Sequence, residues 1–390
     1  MKKICIIGGA GHIGLPLALK FSEKNFLVDV IDINKKIIDD LNKSIFPFYE
    51  KGGKQILNKS LKRKKITFST DYTNVSKADF IIITVGTPLI ANKPSLKEVF
   101  EVFKQINIFL NKNQSIILRS TVFPGATRKI YKKLLKINKN IGLSYCPERV
   151  AQGKSIEEIS KLTQIVSSNS PHEEKKVSNL FREICNNVVI SSYEEAEFIK
   201  LFSNAWRYIK FAAANEFYML CKNKNLNFHR IHNLMTVDYP RNAGLPTQGF
   251  AAGPCLPKDA VQLNVSDKNT SKLLKNSYII NENLPNFFVK DLKKKIDIKG
   301  KKIGVLGTAF KSEIDDERDS LSIKLINILK KNGAKVICND PYIINESYKS
   351  INYIKKNCKI IFIATPHSVY KNLKFSNNNI IIDCWDYLKS

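Results

Sequence analysis

Little in this chain is arranged for a metal or a disulfide. Eight cysteines in 390 residues are too few for a disulfide scaffold. No two of them form a close CxxC pair, which argues against a zinc or iron–sulfur site. No charge-free apolar run reaches the roughly 20 residues that a spanning helix needs. The opening MKKICIIGG runs straight into a Gly-rich turn with no small-residue cleavage site, so it reads as a buried strand rather than a leader. Acidic residues are scarce, with 35 Asp+Glu against 63 Lys+Arg and a formal net charge of +28. Such a field attracts anions. Arginine is scarce too: there are nine, and the lysines are scattered along the chain. Nucleic-acid readers tend to gather arginine on one patch or helix. The charge therefore fits a small phosphorylated substrate, and the expectation is a cytoplasmic protein with neither a nucleic-acid nor a membrane partner.

The length suggests two or three domains, and a hydrophobic fraction of 43% is enough for sizeable cores. The first unit alternates strand and helix. KKICIIGGAGHIGLPLALKF reads as strand, Gly turn and helix, with Gly9, Gly11 and Gly14 forming GxGxxG around His12 and Ile13. In that pattern the glycines permit a tight turn, a close approach of pyrophosphate to backbone, and close helix–strand packing. The next strand ends at Asp32, where an acid can accept from ribose hydroxyls and disfavours a 2'-phosphate, so NAD is expected over NADP. Further strands place Thr87–Pro88, Ser120–Thr121 and Glu148–Arg149 on the same rim as the Gly turn, because ligand loops in such sheets lie beyond the carboxyl ends of the strands.

The middle is helical. YEEAEFIKLFSNAWRYIKFAAANEFYMLCK has no Gly or Pro and predicts one helix of roughly 45 Å. Lys200 and Asn204 share one face of it, flanked by Phe202 and Trp206, which read as buried. Its apolar surface exceeds what one chain covers easily, which predicts a homo-oligomer, dimer or tetramer. A Gly/Pro-rich loop follows, and a helix starts near Lys258, with Pro257 in its first turn. Cys255 then lies near the helix N-terminus, where thiolate is favoured, and Gly249 and Gly253 give a substrate room to reach the sulfur. Asp259 stands one turn further on. By contrast Cys5, Cys338 and Cys384 lie in apolar strand-like runs and read as buried hydrophobes.

The C-terminal unit restarts the strand–helix alternation with only Gly304 and Gly307 in its turn, so it reads as Rossmann-like without the full fingerprint. Lys311 and Arg318 bracket its opening loop and suit a diphosphate. The fold class is thus α/β: two Rossmann-like units joined by a long central helix and a helical middle domain, with segments 1–192, 193–298 and 299–390. A Rossmann unit combined with a cysteine at a helix start suggests a two-stage oxidation. An alcohol loses hydride to NAD, the aldehyde adds to Cys255, a second hydride is lost to leave a thioester, and water releases the acid. Lys200 and Asn204 suit a developing oxyanion, and a carboxylate must assist the attacking water. A one-step dehydrogenase, or an NAD-binding regulator without chemistry, would not need this set together.

The chain resembles the UDP-glucose / UDP-N-acetylmannosamine 6-dehydrogenase family over nearly its whole length. The resemblance is carried by GAGHIGLP, TVGTP at 84–88, STVFPGAT at 120–127 and YCPERVAQG at 145–153, then by KLFSNAWR at 200–207, GFAAGPCLPKDA at 249–260, GTAFKSEIDDERDS at 307–320 and ATPHS at 364–368. It implies Cys255 as nucleophile, Lys200 and Asn204 at the oxyanion, Asp259 on water with help from Thr121, and Glu148 in thioester hydrolysis or proton transfer. It further implies a dimer or larger assembly with the long helix in its interface, Arg241 reaching a neighbour's substrate, and Lys311 and Arg318 at the nucleotide sugar. His12 stands where the family often has tyrosine, and GPCLPKD replaces the GGSCFQKD or GGHCIAVD forms. YCPERVAQG resembles the N-acetylhexosamine branch more than the YNPEFL form, which favours UDP-N-acetyl-D-mannosamine, with UDP-glucose or another UDP-N-acetylhexosamine as the alternative.

Overall fold

The computed structural model describes residues 2–91, 93–137, 141–267 and 269–388. Fourteen strands follow in chain order. They are β1 Lys3–Ile7, β2 Leu27–Ile31, β3 Ile66–Ser69, β4 Phe80–Ile83, β5 Leu89–Ile90, β6 Lys93–Pro94, β7 Ser115–Leu118, β8 Gly142–Tyr145, β9 Gln164–Ser168, β10 Val188–Ile190, β11 Lys302–Leu306, β12 Lys335–Asn339, β13 Ile360–Ile363 and β14 Ile380–Asp383. Contacts gather the chain into two compact units, Met1–Phe202 and Ser203–Ser390.

The first unit is built on an eight-stranded sheet in the order β10-β9-β8-β7-β4-β1-β2-β3, parallel except where β9 runs against β8. Runs such as KICII, FIII and SIIL are rich in isoleucine because both faces of a parallel sheet are covered. The period of two is visible in the packing. Ile4, Ile6, Ile82 and Ile117 enter one core, while Cys5, Ile7, Ile81, Ile83, Ile116 and Leu118 enter the core on the opposite face. Strand order reverses between β1 and β4, and the register pairs Ile7 with both Ile31 and Ile83. That brings the Gly turn, Asp32 and the Thr84–Pro88 loop to one switch point, the usual place for a ligand in such sheets.

In the second unit four parallel strands run in the order β12-β11-β13-β14. Ile303, Val305, Ile360 and Phe362 pack with Tyr218, Phe228, Phe250, Leu284 and Phe288 in one core. The stretch 193–298 is helical as expected, but from Ser203 onward it shares this core with the C-terminal sheet, which is why contacts yield two units. The long helix is Tyr193–Asn223, and the boundary between the units falls within it. Two buried asparagines lock its second half: Asn215 bonds both backbone groups of Gly249, at 2.8 and 3.1 Å, and Asn281 donates to the Tyr208 carbonyl at 3.0 Å and accepts from Asn215 at 2.8 Å.

Two expectations are corrected here. Phe202 and Trp206 are 56% and 59% exposed, because the chain's own cores take the other faces of the long helix. Cys338 is only half-buried on the outer strand β12, whereas Cys5 and Cys384 are fully buried as expected. Among the described residues no helix is long and apolar enough to cross a membrane.

Candidate active site

The turn after β1 is shaped by backbone crowding. Gly8, which precedes the fingerprint and was not singled out from the sequence, carries the positive φ of 70°. A Cβ on Gly9 would lie 2.7 Å from the Ile6 carbonyl oxygen, and one on Gly14 would lie 2.5 Å from Gly9 Cα. A Cβ on Gly11 would meet nothing within 4 Å, so the turn leaves an open cradle there. The helix Gly14–Glu23 starts beside it with no side chain capping its N-terminus, which leaves amide donors for an anion. Ile13 is the N-cap residue, and the His12 ring packs on Phe48 with centroids 4.0 Å apart. One Asp32 oxygen accepts the Ala10 N–H at 3.1 Å and the other accepts the Asn34 N–H at 3.0 Å, so its carboxylate is held at the turn. The Thr87 hydroxyl donates to the Thr121 carbonyl, joining two of the rim loops, with Pro88 exposed beside them. These residues fit NAD: open space above Gly11 and uncapped amides for the diphosphate, and a fixed carboxylate for the ribose. Asp32→Ala is expected to raise KM for NAD by about tenfold or more and to raise that for NADP less, since a hydrogen bond to a charged group contributes about 1.5–3 kcal/mol; steady-state kinetics with both cofactors measures it.

Glu148 is buried, and its setting contains a residue that sequence reasoning missed. Arg119, 2% exposed, forms an ion pair with Glu148 and donates to the Cys146 carbonyl at 3.1 Å and to Gln164 at 2.9 Å. The other Glu148 oxygen accepts the amides of Arg149 and Val150 at 2.7 and 3.1 Å. The Arg149 guanidinium is bonded to the Thr163 carbonyl, so it braces this loop. The only hint in the sequence was a cation directly after the apolar run SIIL.

In the second unit the helix Leu256–Ser266 begins two residues earlier than expected, which makes Cys255 the N-cap with Pro257 in the first turn. Cys255 is exposed, whereas the other seven cysteines are buried or half-buried. Burial pushes the thiols of Cys5, Cys146 and Cys384 up and that of Cys338 up to about 11, which makes them poor nucleophiles. The Asp259 amide donates to the Cys255 carbonyl at 2.9 Å, closing the first turn. Asp259 is 1% exposed. Its Oδ2 accepts from Asn204 at 2.6 Å, while its Oδ1 is buried with no hydrogen-bond partner among the described residues. A buried carboxylate oxygen left in that state is costly unless a bound group or water satisfies it. Lys200, one turn before Asn204, is also buried, and among the described residues no carboxylate lies within ion-pair distance of it.

Gly249 and Gly253 are also required by packing: a Cβ would come within 2.3 Å of Trp385 at the first and 2.4 Å of Phe310 at the second. Arg318 is exposed and is clamped by Asp316 at 2.6–3.0 Å, and these hydrogen bonds hold its guanidinium above the usual range. Lys311 is half-buried in the same loop. Arg241 is exposed and lies over the Tyr239 ring at 5.6 Å. At the end of β12, Asp340 accepts the amides of Thr308 and Ala309 at 2.7 and 3.0 Å and the His367 ring at 3.1 Å. Burial works against the charged form of Asp340, but these donors prevail and hold its carboxyl below the usual range. Among the described residues no group of three or more His, Cys, Asp or Glu is arranged for a metal ion.

Three models of the UDP-glucose/GDP-mannose dehydrogenase family match in succession: the NAD binding domain over residues 2–185, the central domain over 194–283 and the UDP binding domain over 304–390. A UDP-N-acetyl-D-mannosamine dehydrogenase from Methanocaldococcus jannaschii is 30% identical over 380 residues, covering 95% of this chain and 87% of the relative. The chain belongs to the UDP-glucose/GDP-mannose dehydrogenase family. A UDP-glucose 6-dehydrogenase from Rickettsia bellii is 28% identical over 98% of this chain and 95% of its own length. A UDP-D-ManNAc dehydrogenase from Pyrococcus horikoshii superposes with a TM-score of 0.91 at 27% identity, covering 99% and 96% of the two chains. This dehydrogenase therefore carries the family's NAD-binding and UDP-binding domains, with Cys255 inside the central-domain match.

Proposed function

We propose that the protein oxidises the C6 alcohol of a UDP-sugar to the uronic acid in two NAD-dependent steps, holding the half-oxidised sugar on Cys255. The observation that carries this reading is the exposed Cys255 at a helix N-cap, with buried Asp259 in the first turn keeping one carboxylate oxygen without a hydrogen-bond partner among the described residues. The Gly9–Gly14 turn and Asp32 hold NAD, which supplies the hydride acceptor for both oxidations. Cys255 attacks the aldehyde carbon to give a thiohemiacetal and later carries the acyl group as a thioester. Lys200 and Asn204 stabilise the oxygen as it becomes negative. Asp259, oriented by Asn204, takes the proton of the water that releases the acid. Thr121 and Glu148 assist proton transfer in the covalent stage, and Arg149, Lys311 and Arg318 belong to substrate binding.

The YCPERVAQG loop and the mannosamine-enzyme relatives favour UDP-N-acetyl-D-mannosamine as substrate, in a cytoplasmic enzyme of polysaccharide precursor synthesis. UDP-glucose is the second reading, supported by the Rickettsia relative. Purified protein assayed with a panel of UDP-hexoses and UDP-N-acetylhexosamines is expected to form two NADH per sugar, fastest with UDP-N-acetyl-D-mannosamine. One NADH per sugar, or none with any of the panel, would overturn the mechanism.

The assembly is proposed to be a homodimer or larger. The support is Phe198, Phe202, Trp206, Phe217 and Leu220, 36–59% exposed along the Tyr193–Asn223 helix. A run of large apolar side chains in water marks an interface. Light scattering is expected to give at least twice the chain mass, and Trp206→Glu is expected to shift it towards the monomer. Arg241 is proposed to complete a partner's site, so mixing Arg241→Ala with Cys255→Ser subunits should restore part of the lost activity.

A further inference from the structure

The lysines that look scattered in the sequence are gathered by the fold. The helix Ala126–Ile137 turns Ala126, Ile130 and Leu134 into the core and carries Arg128, Lys129, Lys132, Lys133 and Lys136 with no acidic residue in its twelve positions. These five cations and Gly125 line one surface hollow. A second hollow shares Lys129 with it and adds Lys93 and Lys97 around Phe100, Phe123 and Ile90. A third shares Lys133 and Phe100 and adds Lys104 and Asn107. The three form one continuous basic face, and among the described residues no carboxylate lines any of them. The nearby acids are Glu98 and Glu101 on the neighbouring helix Lys97–Ile106, Glu194, paired with Arg128, and Glu197, which is fully buried and accepts the amides of Gly125 and Thr127 at 2.6 and 2.7 Å. Lys133 Nζ sits 3.8 Å from the centroid of the Phe100 ring and covers it. Two large aliphatic side chains stand out beside the lysines: Ile90, 53% exposed, and Ile108, 80% exposed next to Asn107.

We propose that this face docks on an anionic lipid bilayer, the lysines meeting the headgroups and Ile90 and Ile108 entering the interface. Charge complementarity selects an anionic partner, and a planar surface engages all three hollows at once. Nucleic acid is the poorer fit. The cations are point-charge ammonium groups apart from Arg128, which Glu194 already holds. The Phe100 ring that would stack a base is covered, and nucleic acid gives the protruding isoleucines nothing to enter. The proposal departs from the sequence expectation of no membrane partner, and it does not depend on the proposed activity.

The test is co-sedimentation of the full-length protein with vesicles of phosphatidylglycerol and phosphatidylcholine, and with vesicles of phosphatidylcholine alone. Binding to the anionic vesicles is expected, falling steeply as salt rises, with little binding to the neutral ones. The variant K129E/K132E/K133E/K136E should lower the partition coefficient by at least about tenfold. The same four positions changed to Gln should lower it in the same direction, which keeps the test open if the reversed variant does not fold. Ile108→Ser should weaken binding while leaving the salt dependence unchanged. The control K59E/K62E/R63E/K64E makes the same charge change at exposed positions around the end of the Gly53–Lys62 helix, and should alter binding by less than about twofold. Equal weakening by the control would mean that only net charge matters and would overturn the proposal, as would equal binding to neutral vesicles. Duplex DNA or RNA that displaces the vesicles through the same four lysines would assign the face to nucleic acid instead.

Discussion

Cys255→Ser is expected to keep NAD binding and to lose nearly all turnover. The serine hydroxyl has the shape of the thiol but a far higher pKa, so it attacks an aldehyde poorly, and an ester once formed hydrolyses more slowly than a thioester. The substitution sits at the N-cap of Leu256–Ser266, where serine is itself a favourable residue, so loss of fold does not complicate the reading. Two measurements check it: NADH formed per sugar, and NAD affinity by fluorescence titration. Near-normal two-NADH turnover by this variant would end the thioester mechanism.

Lys200→Ala is expected to lower kcat by about 100-fold to 1000-fold, the loss seen when one oxyanion donor is removed. Its effect should fall on the hydride steps, because the oxygen that becomes negative loses its cation. Asp259→Asn should act at a different stage. Asn204 still has a carbonyl acceptor at that position, but the oxygen that would take a proton from water is gone, so the acyl group should accumulate on Cys255. Intact-protein mass spectrometry after mixing with substrate separates the two variants: an adduct of acyl mass on Asp259→Asn, and none on Lys200→Ala. The reverse pattern would exchange their roles.

How much of this was legible in the sequence depended on how local the cause was. Runs of isoleucine bounded by Gly turns announce parallel strands by themselves, and both Rossmann-like sheets and the long helix follow that reading. Gly9, Gly14 and Asp32 were readable because a Gly spacing at a strand end and an acid closing the next strand are local patterns, although Gly14 also packs against the distant Thr84. Arg119 was not: its side-chain partners Glu148 and Gln164 are 29 and 45 residues away, and a cation at a strand end looks like the start of a loop. The packing role of Gly249 and Gly253 was not legible either, because Trp385 and Phe310, which exclude a Cβ there, come far later in the chain. Phe202 and Trp206 show another limit. Periodicity says that an apolar face should be covered, but it does not say that the cover must come from the same chain. The lysines of Ala126–Ile137 are the converse, since a composition spread along the sequence can still be concentrated in space.

The carboxylate at the end of the second strand differs in its work between the two Rossmann-like sheets. Asp32 takes one turn amide, from Ala10, and leaves the helix start uncapped, whereas Asp340 takes two, from Thr308 and Ala309, and is itself held by His367. The C-terminal turn thus carries a built-in counter-anion, while the N-terminal turn keeps helix amides that no side chain caps. In terms of stoichiometry, the proposed mechanism passes four electrons through the one fingerprint turn of the chain. On that proposal one exchange of cofactor falls in mid-reaction, and a covalent hold of Cys255 on the sugar would keep the unfinished product in place while that exchange occurs.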